Sequence, residues 1–196
     1  MEMISSGGRS KPLPYRPLKV KTGNGMDNEV FYIIGQVLGI LAVITGFISY
    51  QMKTQRGIIV LQLTTALIFT LHYVFIGAPT AIALNFLGAV SCVFYYFRDK
   101  RGGKSVIEPI VFAVLIIISS ILTWEGWYSA LIMIALVFNT VSLTFSNPQA
   151  TRAVMFIKSP LCLIYNAIVL SGGGVIYECA VLTSAIIGII KNRRVK

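Results

Sequence analysis

The sequence predicts an all-α membrane protein with seven transmembrane helices, arranged as two parallel triple-helix repeats joined by a single linker helix (3+1+3). Three observations carry that reading. First, 56% of the 196 residues are hydrophobic and only 12% are charged, with a mean hydropathy of +0.78. A soluble domain carries about 25% charged residues. Second, the apolar residues fall into seven segments of about 16–20 residues, close to the ~20 needed to cross a bilayer as a helix. Hydrocarbon cannot satisfy an open backbone, so helices are the expected form. Third, every second connection carries the positive charge.

Residues 1–28 precede the first segment. The stretch SSGGRSKPLPYRPLKVKTGNG is rich in Gly, Pro, Lys and Arg and has no apolar run, so it is expected to be a disordered basic tail rather than a signal peptide. The seven-helix domain is expected over 29–196, with repeat one at 31–101, the linker helix at 106–124 and repeat two at 127–194. The first segment, Phe31–Tyr50, places Gly35, Gly39 and Gly46 along its length, which suits close helix packing. The second, Gly57–Ile76, contains His72 and Tyr73 and ends in the short link GAPT. The third, Thr80–Phe97, contains Asn85 and finishes in RDKR. The fourth, Val106–Trp124, is nearly featureless. Trp124, Trp127 and Tyr128 flank the link into the fifth, Trp127–Phe145, and read as an interfacial aromatic belt. The sixth, Ala153–Leu170, contains Pro160, expected to kink it, and Lys158, expected to snorkel to the nearby basic end marked by Arg152. The link SGGG leads to the seventh, Val175–Ile190, which contains Glu178 and finishes in KNRR.

The links after segments one, three and five, and the C-terminus, hold Lys53, Arg56, Arg98, Lys100, Arg101, Lys104, Arg152, Lys191, Arg193, Arg194 and Lys196. The links GAPT, EG and SGGG hold no Lys or Arg. The positive-inside rule therefore puts the C-terminus in the cytoplasm and, with seven crossings, the N-terminus outside. The basic tail argues the other way and is outvoted by the loops. A net charge of +10 would suggest nucleic acid for a soluble chain, but here the charge lies at segment ends, so no nucleic-acid partner is expected. The partners expected are the bilayer and a small polar solute, and a homo-oligomer is left open. Cys92, Cys162 and Cys179 have no metal-ligand spacing and read as small packing residues. No nucleophile–base pair, metal cluster or phosphate loop is visible, so neither an enzyme nor a cofactor is expected.

The two ends of the chain overlay at a shift of about 93 residues, which brings His72 onto Tyr165, Tyr73 onto Asn166, Asn85 onto Glu178 and Gln36 onto Ser129. At 1.5 Å per residue His72, Asn85, Asn166 and Glu178 sit roughly 6–10 Å below the outer surface. The candidate substrate-binding residues are therefore His72, Asn85, Asn166 and Glu178, with Tyr73 and Tyr165. Polar side chains at one depth in an apolar wall select a small polar solute. Each also has a plainer reading. His72 suits a satisfied interfacial group, Asn85 and Asn166 suit interhelical hydrogen bonds, and Glu178 suits a shallow carboxylate reaching the headgroups. An ionised carboxylate within a span costs about 2.5–3.5 kcal/mol, which favours function or a paired partner.

The stretches GFISYQMKTQRG, LHYVFIGAPTAIALNFLGAV and IYNAIVLSGGGVIYECAVL resemble the YgjV-type bacterial inner-membrane proteins over about residues 30–194. The resemblance implies an inner-membrane location and a His and Asn around the first outer turn, here His72 and Asn85. Around the second it implies an Asn and Glu, here Asn166 and Glu178. It implies no substrate. Family members often have an Arg soon after the first Asn, where this chain reads FLGA, and some have His where Tyr165 stands. More remotely the layout is similar to the SWEET and PQ-loop transporters. NFLG at 85–88 is similar to their Asn-x-x-Gly, while Tyr50-Gln51 stands where Pro-Gln is expected and Pro148-Gln149 falls in a link. The expected function is a carrier for a small polar, sugar-like metabolite, working by alternating access between the triplets with Glu178 as a protonation switch. The alternative is a non-transporting structural or sensory membrane protein whose polar layer serves packing.

Overall fold

The computed structural model describes residues 25–101, 107–145 and 147–192. They form seven helices: α1 Gly25–Gln51, α2 Gln55–Ile76, α3 Pro79–Lys100, α4 Ile107–Leu122, α5 Ser129–Ser142, α6 Pro148–Ile168 and α7 Gly172–Asn192. Four stretches are long and apolar enough to cross a membrane: Glu29–Gln51, Gln55–Ile76, Pro79–Lys100 and Gly172–Asn192. Helices α4 and α5 are apolar but shorter, at 16 and 14 residues. Helix α6 has 21 residues and carries Arg152 and Lys158 within its length.

Local chemistry explains where the helices stop. Thr54 caps α2, its hydroxyl accepting from Gly57 N–H at 3.2 Å. Gly77, at φ 83°, ends α2 in the left-handed conformation open to glycine. Pro79 starts α3 at a position where a missing N–H costs nothing. Asn147 accepts from Gln149 N–H at 3.0 Å and Pro148 opens α6, so Pro148-Gln149 lies in the first helical turn and not in a link. Ser171 accepts from Gly174 N–H at 3.1 Å, and the three glycines expected to form a turn are instead the start of α7. Helix α1 reaches back to Gly25, four residues into the segment read as a tail, and residues 1–24 lie outside those described.

The helices close into a ring in chain order. Helix α1 packs on α2, α2 on α3, α3 on α5, α5 on α6, α6 on α7, and α7 back on α1. Helix α4 packs on α3 and α5, outside the seam between them. The expected close packing of glycines is seen at the α1–α7 seam, where a Cβ on Gly39 would stand 2.9 Å from the Cα of Gly173.

The ring is inverted relative to a soluble fold. Ile33, Ile44, Leu71, Phe86, Ile110 and Ile176 point outward with half or more of their surface exposed. The interior holds Gln55, Gln62, Thr65, His72, Arg152, Lys158, Asn166 and Glu178, all buried. Exposed apolar area on this scale marks a lipid-facing surface. Trp124 and Trp127 are exposed, as an interfacial belt requires, but Tyr128 is buried beside Tyr165 at 6.0 Å between ring centroids.

Candidate functional site in the helix ring

A cavity of about 50 Å³ lies inside the ring between α2, α3, α5, α6 and α7. Tyr73, Asn85 and Glu178 line it, as do Lys158, Gln62, Asn139 and Thr65. Counted at 1.5 Å per residue from the helix ends, Glu178 and Asn85 lie roughly 9 Å from one face, while Lys158 and Thr65 lie near the middle. The cavity thus runs down the axis of the ring rather than forming a single shallow layer.

Lys158 departs most from expectation. Its side chain is 6% exposed, lines the cavity and places Nζ 5.9 Å from the centre of the Tyr177 ring. It does not snorkel. The interior face of α6 runs through Lys158, Cys162 and Tyr165, so the ammonium is directed into the ring, where an aromatic face receives it. Glu178 is 4% exposed, with Lys158, Ser159 and Cys162 acting on its carboxyl. Its Oε2 has no hydrogen-bond partner, and the same holds for Asn139 Oδ1. The ion pairs among the described residues, Arg56–Asp99 and Arg98–Glu108, involve neither Lys158 nor Glu178.

The other candidates are not all on the cavity. Tyr73 donates its hydroxyl to Asn166 Oδ1 at 2.6 Å, a bond that joins positions 93 residues apart and links α2 to α6. Asn166 is thereby held off the cavity wall. Asn85 lines the cavity while its amide donates to Ala81 O at 2.9 Å, one turn back in its own helix. His72 is fully buried and lies outside the cavity, with Nδ1 2.5 Å from Gly35 O and Nε2 2.7 Å from Ser171 Oγ. Tyr165, also fully buried and off the cavity wall, stands in the electrostatic environment of Glu125.

These off-cavity residues belong to a closure at the GAPT, EG and SGGG end. Gln36 accepts from Gly173 N–H at 2.8 Å and donates to Leu170 O at 3.2 Å, and the Tyr32 hydroxyl donates to the same carbonyl at 2.8 Å. Together with His72 these bonds tie α1 and α2 to the α6–α7 turn. Across the ring, Thr80 N–H donates to Glu125 Oε2 at 3.1 Å, and Ser129 Oγ lies 3.3 Å from Thr80 Oγ1. Burial raises the Glu125 carboxyl above its ordinary pKa, with the bonds from Thr80 opposing the rise.

The opposite end is closed as well. Arg152, expected in a basic link, is fully buried and donates to the Tyr50 carbonyl at 2.9 Å and to the Met52 carbonyl, capping the C-terminal end of α1. Gln55 donates to Thr151 Oγ1 at 3.0 Å, and Arg98 donates to Thr144 O at 2.9 Å. Polar contacts between the front and back halves of the chain thus tie the ring together at both of its ends.

Compared with known proteins, the chain matches no curated protein and no solved structure. A family profile, Imp-YgjV, described as bacterial inner membrane protein, matches residues 33–196. That range takes in all of α2–α7 and most of α1, including every residue of the cavity wall. On that coverage the chain belongs to the Imp-YgjV family of bacterial inner membrane proteins.

Proposed function

We propose that the protein is a carrier for a small polar solute, bound in the cavity on the ring axis and exchanged by rocking α1–α3 against α5–α7, with α4 as the link. The observation that carries this reading is the cavity itself, with Lys158 and Glu178 both buried on its wall and neither in an ion pair. A buried charge costs several kcal/mol unless matched, and such groups inside a membrane domain mark solute or ion pathways.

A two-fold relation between triplets is supported by corresponding contacts. At the 93-residue shift set by the Tyr73–Asn166 bond, the lining residues Thr65, Phe69 and Asn85 fall on Lys158, Cys162 and Glu178, which also line the cavity. The seam contact Gln36–Gly173 falls on Ser129–Thr80. Ser49–Ile58 falls on Ser142–Thr151, which is also hydrogen-bonded. Parallel repeats about an axis along the membrane normal are a transporter plan with the solute at the repeat interface. In this reading all seven helices cross the bilayer, the SGGG end faces outward, the C-terminus is cytoplasmic, and the chain is not an enzyme.

His72 favours the second reading, a non-transporting membrane protein, because both its ring nitrogens are engaged and it is not on the wall of this cavity. Uptake by the purified protein in liposomes separates the two. We expect saturable uptake of at least one small polar solute by the wild type and its loss in Lys158→Met with the fold retained. If a broad panel of sugars, amino acids, polyols and organic acids gives no uptake above protein-free vesicles, the carrier reading fails.

A further inference from the structure

The cavity wall offers a cation and an anion that leave each other unpaired, and this says what its occupant must carry. Lys158 lies near the middle of α6 and Glu178 lies two turns into α7, so the two side chains spring from different depths of one chamber wall. Each is more than nine-tenths buried, and no ion pair joins them within 4.0 Å. Glu178 Oε2 and Asn139 Oδ1 are acceptors without donors, and both belong to residues of the wall. A buried acceptor left without a donor is destabilising, more so when charged, so these two atoms are open to a donor-rich occupant, while Ser159 and Cys162 act on the same carboxyl from the wall. At the other pole Lys158 supplies donors, with the Tyr177 ring 5.9 Å from Nζ and the Glu178 carboxyl attracting it from beyond ion-pair distance.

We propose that the solute is a small zwitterion, a primary amine and a carboxylate on one intervening carbon, with its carboxylate on Lys158 and its ammonium on Glu178 and Asn139. This deepens the carrier reading and rests on it. An ammonium brings three donors, which suits two open acceptors. A carboxylate brings acceptors only, which suits the lysine. Size argues in the same direction. One water-sized centre takes about 10–15 Å³ of such space, so the cavity of about 50 Å³ holds roughly three to five non-hydrogen atoms. Glycine has five. A hexose has about twelve, more than that space takes, and its hydroxyls bring no charge to meet either pole.

Binding of radiolabelled glycine to the purified protein in lipid nanodiscs tests the assignment without any variant. Glycine should bind saturably. Acetate and methylammonium, each carrying one of its two charges, should compete about tenfold or more weakly, the worth of a lost charge-assisted hydrogen bond. Lys158→Gln and Glu178→Gln should each abolish glycine binding while the thermal unfolding of the protein stays cooperative. Lys158→Gln should still bind radiolabelled methylammonium directly, and Glu178→Gln should still bind radiolabelled acetate. Saturable binding of glycerol or a sugar, with glycine inert, overturns the zwitterion and leaves the carrier intact. Acetate or methylammonium competing as well as glycine overturns the two-pole assignment. No saturable binding and no uptake of any solute overturns the carrier reading and this inference with it.

Discussion

Tyr73 and Asn166 show what a single buried contact contributes. The phenol reaches across the ring to the Asn166 amide oxygen at 2.6 Å, and neither side chain is exposed to solvent. Tyr73→Phe removes the donor and leaves a buried acceptor, at an expected cost of about 1–3 kcal/mol. Thermal unfolding in detergent should show that loss. A double change, Tyr73→Phe with Asn166→Leu, should cost less than the sum of the singles, because it removes both halves of the bond; strict additivity would show that the contact is not made. The sequence placed these two polar residues at corresponding positions of the two halves, but that they bond to each other follows from long-range packing and was not legible there. Lys158 was not legible either. Its distance from Arg152 fixes its depth but says nothing about which side of α6 it takes. The available signal was the line through Lys158, Cys162 and Tyr165 at positions i, i+4 and i+7, which shares one helix face. His72 was legible as buried and polar. Its removal from the cavity depends on Gly35 and Ser171, brought together only by packing of α1 against α2 and α7.

Helices meet through their smallest residues. A Cβ on Gly39 would lie 2.9 Å from the backbone of Gly173 and 3.0 Å from the His72 ring. A Cβ on Gly88 would meet nothing within 4 Å. Gly39→Ala should therefore destabilise by about 1–3 kcal/mol through overpacking. Gly88→Ala should be neutral or stabilising by up to about 1 kcal/mol through helix propensity. Equal melting temperatures for the two variants would contradict the seam geometry. The start of α3 carries a second expectation. Glu125 reaches the N-terminal turn of α3 from the α4–α5 connection, and its burial raises its pKa. Between the ordinary carboxylate pKa and the raised one, the folded protein holds a proton that the unfolded chain has lost. Stability therefore falls as pH rises through that window, and the contribution is intact below it. The melting temperature of the wild type minus that of Glu125→Gln should decline from pH 4 upward and level off above the raised pKa. A difference independent of pH would place Glu125 in a fully solvated setting.

At the scale of the whole molecule, the sequence announced seven helices, and seven are present among the described residues. Their limits were less legible because capping residues, not hydropathy, decide them. Pro148 and the three glycines at 172–174 looked like link material, yet Asn147 and Ser171 recruit them into first turns. The chain-order ring and the outside position of α4 come from long-range packing and left no local mark. Impermeant labelling tests the proposed orientation. A cysteine placed at Trp127, which is exposed beside the α4–α5 connection, should react with an impermeant reagent added to intact cells, and one at Arg101 should not. The three native cysteines set the background to be subtracted. The reverse pattern would invert the proposed topology.

The buried lysine also has a consequence for biogenesis. Helix α6 carries Lys158 at its centre, and the insertion machinery charges about 2.5–3.5 kcal/mol for a central lysine. Pro160 further removes the backbone bond its N–H would give to Phe156. Alone, such a segment is a poor candidate for lateral release into lipid. Helix α7 follows after a three-residue turn and brings Tyr177, the ring that receives the ammonium, and Glu178. The two segments should then leave the translocon as a hairpin, with α7 escorting α6. Glycosylation mapping of α6 in a leader-peptidase host checks this: poor membrane insertion of the isolated segment, recovery when α7 is appended, and efficient insertion of isolated α6 bearing Lys158→Leu. If isolated wild-type α6 inserts as well as the Lys158→Leu segment, the lysine imposes no order on assembly.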